Sequence, residues 1–422
     1  MHSVELKKVT GTYIDLFSGC GGFSLGLGNA GWKGIFAVEK DAMAFSTFKH
    51  NLIDGKYSHF DWPSWLPRKE TTIQALLKEY TAHLEQLQGK VDLIAGGPPC
   101  QGFSLAGRRD AKDPRNKLSN EYAKIVEIIS PKYLMLENVR GFDSTFKNSK
   151  GEREKKPYSM ILKGRLERLG YKIFTSYLNS EDYGVPQKRT RFIMVGIRKD
   201  LFKKVNTCPF ELLASLRIDF LKKKNLFTLP VSVEMAIGDL ETAKNKLIHH
   251  SGSEKSGFKK IEYIPPAKLN PYLQQMRNGM DDSKPNSLRI ARHRESTIEK
   301  FRYIQSVCKP GLGLTDLQKQ KLGTKKQVLS LLDPLQPSRT LTTLPDDLIH
   351  YSEPRILTVR ENARIQSFPD DFDFKGKYTT GGERRKTECP RYTQVGNAVP
   401  PFLGEVLGML ISNLNKESLH EI

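Results

Sequence analysis

A lone cysteine sits in the string Gly96-Gly97-Pro98-Pro99-Cys100-Gln101-Gly102-Phe103-Ser104. The run Val91-Asp92-Leu93-Ile94-Ala95 before it reads as a buried strand. Two glycines and two prolines stop that strand and set a sharp turn. Buried structural cysteines usually lie inside apolar runs. This one lies on a rigid, polar loop at a strand's carboxyl end, where open α/β sheets place reacting groups. Cys100 is therefore a candidate nucleophile, and a plain turn residue is the competing reading. Glu137, in Glu137-Asn138-Val139, follows the apolar stretch Tyr133-Leu134-Met135-Leu136 and should reach the same sheet edge. A thiolate beside a carboxyl makes a nucleophile plus an acid or hydrogen-bonding partner. Taken alone, Glu137 reads first as a helix-capping acid. In Gln187-Lys188-Arg189-Thr190-Arg191-Phe192-Ile193, strand alternation throws Arg189 and Arg191 to one face. That face belongs either to the chemistry or to an exposed strand edge.

A second constellation is Asp15-Leu16-Phe17-Ser18-Gly19-Cys20-Gly21-Gly22-Phe23. A strand running into a glycine turn and then a helix lets backbone approach a ligand and aims amide N–H groups at it. The spacing is not the GxGxxG of dinucleotide sites. Glu39 ends the next strand, Ile35-Phe36-Ala37-Val38, where a carboxylate can accept both hydroxyls of a ribose. The pair suggests a nucleoside-containing cofactor, although Glu39 could also be a helix-start acid. The string Gln394-Val395-Gly396-Asn397-Ala398-Val399-Pro400-Pro401 reads, by itself, only as a tight turn into a final helix.

The elements that must position these residues alternate between strand and helix from residue 10 to about 200. Strands are expected at Tyr13–Phe17, 35–38, 91–95, 133–136, 172–178 and 192–197. Helical stripes run through Thr71–Leu87, Tyr122–Ile129 and Ile161–Leu169. Such alternation specifies an α/β fold with a mostly parallel sheet and helices on both faces. From about 200 to 330 the regularity fades into basic clusters, Lys222-Lys223-Lys224, Lys259-Lys260 and Arg289 to Arg294.

Composition narrows the partners. A formal net charge of +20 over 422 residues suits a polyanion, because Lys and Arg displace condensed counterions from phosphates. No apolar run in the sequence approaches the roughly 20 residues of a membrane span, and no secretory signal pattern opens the chain. A cytoplasmic, nucleoid-associated protein with no membrane partner is expected. The five cysteines are odd in number, scattered and without a CxxC pair, which argues against disulfides and against a zinc site.

Together, in this order, these strings resemble the DNA cytosine-5 methyltransferase family, in its single-chain bacterial restriction-modification form. The resemblance rests on the glycine loop, GGPPCQGFS, ENV, QKRTRF, RILTVRENARIQSFPDDF at 355–372 and QVGNAVPP. It covers about 11–200 and 330–405. It implies a Rossmann-like fold that uses S-adenosyl-L-methionine, leaves S-adenosyl-L-homocysteine and needs no metal. It also implies a smaller target-recognition domain. Cys100 is then the nucleophile that adds to carbon 6 of a flipped cytosine. Glu137 neutralises the ring, Arg191 contacts the base carbonyl, and Arg189 supports that network. On the cofactor side, Phe17 would pack on the adenine, with Ser18, Gly19, Cys20, Gly21 and Gly22 facing the methionine part. Glu39 would hold the ribose, with Pro98, Asn397 and Val399 closing the pocket. Asp61, in His59-Phe60-Asp61-Trp62, is the candidate for the adenine amine.

The expected organisation is a catalytic and cofactor domain over 1–200, completed by 391–422. A target-recognition domain would span 201–390, with its variable part at about 201–330. The expected partner is double-stranded DNA, bound by a monomer working beside a restriction endonuclease of the same specificity. A tRNA cytosine-5 methyltransferase is the rival enzyme. It usually carries a Cys-Phe-Thr signature in the recognition region, and neither Cys208 nor Cys308 is followed by Phe-Thr. A catalytically inactive DNA-binding regulator is the rival from another class, and intact Cys100, Glu137 and Arg191 argue against it.

Overall fold

A computed structural model describes residues 9–419 apart from 99–117, 146–155, 206, 228–229, 251–256, 281–282, 325, 327, 381, 383 and 385–386. Cys100 lies outside the described residues. The chain divides into two compact units. The first comprises Met1–Asn179, Thr190–Ile218 and Leu403–Ile422, and the second comprises Ser180–Arg189 and Asp219–Phe402.

The first unit opens with β1 (Gly11–Leu16), α1 (Gly22–Asn29), β2 (Trp32–Val38) and α2 (Ala42–Phe48). Asp41 caps α2, its carboxylate accepting from the Met43 and Ala44 amides at 2.9 Å each. The stripe expected over 71–87 forms two short helices, α3 (Ile73–Glu79) and α4 (Thr81–Glu85). Tyr80 leaves helical geometry between them, with φ −126°. Then come β3 (Leu93–Gly96), α5 (Leu118–Ile129), β4 (Tyr133–Asn138), α6 (Tyr158–Arg168) and β5 (Tyr171–Asn179). A two-residue strand, β6 (Gln187–Lys188), precedes β7 (Thr190–Arg198).

The main sheet has six strands in the order β2-β1-β3-β4-β7-β5. The pairs β1/β2, β1/β3 and β3/β4 are parallel, whereas β7 runs antiparallel to both β4 and β5. The expected α/β sheet is therefore present, with one reversed strand. That reversal has a chemical consequence. β1, β3 and β4 end at one edge of the sheet, and β7 begins there, because Asn138 at the end of β4 faces Phe192 near the start of β7. The strands are near-continuous apolar runs, as expected of strands covered on both faces. Tyr13, Ile14, Leu93, Ile94, Tyr133, Met135, Ile193 and Val195 have no exposed surface. The C-terminal helix, Pro401–Leu419, packs from residue 403 onward on this unit, and the Trp32 indole donates to the Gly408 carbonyl at 3.0 Å. One stretch, Arg391–Glu417, is apolar enough to cross a membrane by length and composition, yet 83% of its most apolar window is buried within the protein. It is a core segment.

The second unit is built on short elements and buried ion pairs. Arg364 is fully buried and pairs with Asp370 at 2.7 Å and with Asp239. Arg355 makes two 2.8 Å bonds to Glu361, which also completes a capping box with Thr358. All of these except Asp239 lie in the string 355–372 that sequence reading singled out, and in the structure they form a core.

The unit boundaries differ from those read in the sequence. Residues 180–189 go with the second unit because β6 pairs with Ser338–Arg339, not with the main sheet. Residues 201–218 stay with the first. Residues 391–402 sit in the second, where Gln366 donates to the Val395 carbonyl at 2.8 Å.

Candidate active site

The glycine loop follows directly from β1. The Ser18 amide donates to the Val38 carbonyl at 3.0 Å, so the loop is stitched to the end of β2. Phe17 adopts φ 65°, Gly19 φ 57° and Gly21 φ 95°. A side chain at Gly21 would also strike Leu52 and Phe48, so that position needs glycine twice over. A left-handed phenylalanine costs roughly 1–2 kcal/mol. Backbone strain of this kind gathers at ligand sites.

Glu39 is brought to this loop, as sequence reading expected. Its Oε2 accepts from the Gly19 amide at 3.0 Å and its Oε1 from the Asp41 amide at 2.8 Å. Burial raises its pKa while these two amide bonds lower it, and the net shift is upward. Each carboxylate oxygen keeps a lone pair for a further donor. Beneath the loop, Asp15 is 1% exposed and accepts from the Ser24 hydroxyl at 2.6 Å. Burial, reinforced by the nearby Glu39 charge, pushes its carboxyl up to about 7 against that hydrogen bond. Cys20 is buried, and burial pushes its thiol up to about 12. It is thus an inert packing thiol at neutral pH.

The second half of the site lies where β3 and β4 end. Gly96 lets the chain pass close to β1, and the Gly97 amide donates to the Leu16 carbonyl at 3.3 Å. Glu137, the penultimate residue of β4, sits over Gly97. A Cβ at 97 would meet its Oε2 at 3.4 Å. The Arg191 Nε lies 2.7 Å from Glu137 Oε1, with side chains only 9% and 12% exposed. Arg191 also donates to the Thr190 carbonyl at 2.8 Å. The reversed strand makes this ion pair possible, since it starts where β4 ends. A third contact holds the Gly97-Pro98 turn. Asn138, 2% exposed, donates from Nδ2 to the Pro98 carbonyl at 3.0 Å, two residues before Cys100. Sequence reading quoted Asn138 without giving it a role. Its place at the end of a buried strand, beside the motif carboxylate, was the available signal.

Arg189 belongs to the second unit. The strand breaks at 189, so the alternation that would have aligned it with Arg191 is lost. Its guanidinium is buried in the second unit and donates to the carbonyls of Leu341 at 3.2 Å, Gly396 at 2.9 Å and Ala398 at 3.3 Å. It is a strut for the 394–401 turn. Asn397 in that turn is exposed and Val399 is buried, both in the second unit.

Asp61 is not brought to Glu39. Its amide bonds the Gly34 carbonyl, five residues upstream of Glu39 in the chain, or roughly 17 Å at strand rise. Its side chain is 77% exposed and ion-paired with Lys33 at 3.0 Å. The aromatic packing of Phe60 against Tyr13 and Phe48 sets that register.

A glycine-turn loop bearing a carboxylate therefore shares a sheet edge with a Glu–Arg pair and an anchored Gly-Pro turn. The family model for C-5 cytosine-specific DNA methylase matches residues 11–413. The chain belongs to that family.

Among its relatives is the Type II methyltransferase M.DdeI of Desulfomicrobium norvegicum, 32% identical, with the alignment covering 94% of this chain and 88% of that one. The Type II methyltransferase M1.HphI of Haemophilus parahaemolyticus is also 32% identical, over 96% and 87%. A solved structure of a proposed DNA modification methyltransferase from an E. coli prophage superposes with a TM-score of 0.63 at 24% identity. It covers 96% of this methylase and 99% of that chain, and it supports the fold. This methylase is thus an enzyme of the cytosine-5 class.

Proposed function

We propose that this methylase transfers a methyl group from S-adenosyl-L-methionine to carbon 5 of a cytosine in a specific duplex DNA sequence. The cytosine is rotated out of the stack, since its reacting atoms are inaccessible inside a duplex. The observation that carries the reading is the Glu137–Arg191 pair seated over Gly97, with Asn138 holding Pro98, at the edge where the glycine loop also ends. The Type II relatives support a setting beside a restriction endonuclease of the same specificity, in the compartment that holds the chromosome.

The residues of the glycine loop fit the cofactor. Ser18 Oγ is buried and has no hydrogen-bond partner among the described residues, so it is free to meet a polar group. The space before Gly19 is open, and Glu39 can take two hydroxyls from an adjoining ribose. When bound, the cofactor supplies the electrophilic methyl. The protein's own residues do the rest. Carbon 5 of cytosine is a poor nucleophile until a thiolate adds to carbon 6. Cys100, two residues past the anchored Pro98, would make that bond. Addition pushes electron density onto ring nitrogen 3, and Glu137 would hold a proton there. Arg191 fixes the Glu137 carboxyl and would reach the base carbonyl. Loss of the carbon 5 proton and expulsion of the thiolate then restore the aromatic ring.

Replacing Cys100 with serine tests this reading. Cys100→Ser should abolish methyl transfer while cofactor binding persists. Wild-type protein should form a covalent adduct with duplex DNA containing 5-fluorocytosine, because fluorine cannot leave as a proton does. Normal turnover by the serine variant would overturn the assignment.

A further inference from the structure

The chain just after α2 holds an element that the reaction does not explain. At Phe48 the helix widens into one π-helical turn, Lys49–Ile53, and the Asp54 amide reaches back five residues to the Lys49 carbonyl at 2.9 Å. Turns of this kind are rare, occur singly and gather at functional sites. The sequence has no proline or glycine from 42 to 54 that would force one. Tertiary contacts hold it instead. The Asn51 Nδ2, on a residue only 4% exposed, donates to the Thr47 carbonyl at 2.7 Å. The chain then doubles back, with the Tyr57 amide on the Asn51 carbonyl at 3.1 Å and the His59 amide on the Leu52 carbonyl at 3.3 Å. Gly55 permits this return, because a Cβ there would collide with the His50 carbonyl.

The turn delivers one side chain to the glycine loop. Phe48 and Leu52 are fully buried, and both occupy the space that Gly21 leaves empty. A Cβ at 21 would collide with Leu52 Cδ1 and would lie 2.9 Å from Phe48 Cδ2. Four residues of an α-helix pass through more than a full turn, whereas four residues of a π turn pass through less. The wide turn therefore swings Leu52 to the other side of Phe48, and the two side chains make a floor under Gly21. Phe48 is wedged independently, with its ring centroid 6.0 Å from that of Phe45 and 5.2 Å from that of Phe60. Leu52 is placed by the turn. Gly21 in turn closes the loop, its amide donating to the Ser18 carbonyl at 3.0 Å and its carbonyl accepting from the Leu25 amide at 2.8 Å.

Residues 17, 19 and 21 of this loop all take positive φ. Strained backbone of that kind persists only where its surroundings over-determine it. We propose that Leu52, carried on the π turn, is a positioning residue of the cofactor loop: its Cδ1 methyl seats Gly21 and so selects the loop conformation that receives the cofactor. Leu52 acts through Gly21. The inference rests on the reading of this loop as the S-adenosyl-L-methionine site. Its signature follows from population arithmetic. When only a fraction of molecules hold the competent loop, apparent affinity falls by that fraction, while the bound enzyme reacts as before.

The test is calorimetric binding of S-adenosyl-L-methionine, with methyl-transfer kinetics and thermal melting, for wild type, L52A, L52M and L84A. Leu84 is equally buried but lies on α4, which packs on α5, so L84A controls for lost core packing alone. L52A should raise Kd and KM for the cofactor about tenfold and leave kcat at saturating cofactor within about twofold of wild type. L52M, which conserves volume and reach, should restore affinity. L84A should lower Tm with a wild-type KM. Removing Leu52 also makes room for a Cβ, so G21A/L52A should bind cofactor more tightly than G21A alone. Where L52A melts below the assay temperature, L52V is read by the same criteria. An unchanged cofactor KM in L52A would overturn the proposal, as would an equal rise in L84A or a fall in kcat at wild-type KM. A wild-type protein that binds no S-adenosyl-L-methionine would instead sink the cofactor reading itself.

Discussion

Asn138→Asp is the most discriminating perturbation of the site. The change is isosteric and keeps Oδ1, which accepts from the Val139 amide at 2.9 Å. It replaces the Nδ2 donor by a carboxylate oxygen, which then faces the Pro98 carbonyl across the former 3.0 Å hydrogen bond. The side chain is 2% exposed, so water cannot repair the clash of two acceptors. Losing the bond costs about 1 kcal/mol, and leaving buried acceptors unsatisfied adds about 1–3 kcal/mol. If that energy falls on the Asn138-bonded form of the Gly97-Pro98 turn, its population drops by a factor of roughly 30 to 1,000, at about 1.4 kcal/mol per tenfold. Single-turnover methyl transfer should slow by that factor. Cofactor affinity, which depends on Glu39 and the glycine loop, should stay within about twofold of wild type. Asn138→Ala lacks the opposed oxygen and should lose less, about tenfold. A wild-type single-turnover rate in the aspartate variant would refute the claim that Asn138 positions the turn leading to Cys100.

Glu39→Ala should weaken S-adenosyl-L-methionine binding by about 1–3 kcal/mol, the scale of hydrogen bonds to a charged group, and calorimetry reads this directly. Asp15 has a raised pKa in the folded state, so its contribution to stability is fully present below its ordinary value of 3.8 and is lost as pH rises through about 7. Asp15→Asn should therefore flatten the fall in Tm between pH 4 and 7 and raise Tm at pH 8. The effect has an upper bound of roughly 4 kcal/mol, and a steeper fall would contradict it. Exchanging residues 201–330 for the matching segment of a relative with another target should carry the new target sequence into the hybrid, as read by bisulfite mapping. An active hybrid that keeps the old target would place recognition elsewhere.

Much of the site was legible because its chemistry sits at strand ends, and strand ends are marked by glycine, proline and the limits of apolar runs. Glu39, Glu137 and Arg191 were each found beside such a limit. The failures have a common physical origin in pairing, which is non-local. Nothing in the residues around 189 shows that Gln187–Lys188 leaves the main sheet to pair with Ser338–Arg339, so the alternation expected through Arg189 and Arg191 is broken there. The register of 59–61 beside Gly34 depends on the stacking of Phe60, and it carries Asp61 away from Glu39. The reversal of β7 was equally invisible, since a buried apolar strand reads the same in either direction.

The seating of the last helix also sets a clock on biosynthesis. The Trp32 indole finds its partners 376 and 380 residues later, at Gly408 and Ser412. At about 5–20 residues per second, a nascent chain waits on the order of 20–75 s between making Trp32 and making the helix that covers it. For that interval the Trp32 side chain is without the helix that covers it. The Asn415 side chain donates to the Thr10 carbonyl at 3.3 Å, so the beginning of β1 and the end of the last helix are neighbours. A circular permutant that places the helix before β1 would put these partners within tens of residues of each other. It should give a larger soluble yield at temperatures where the natural order aggregates.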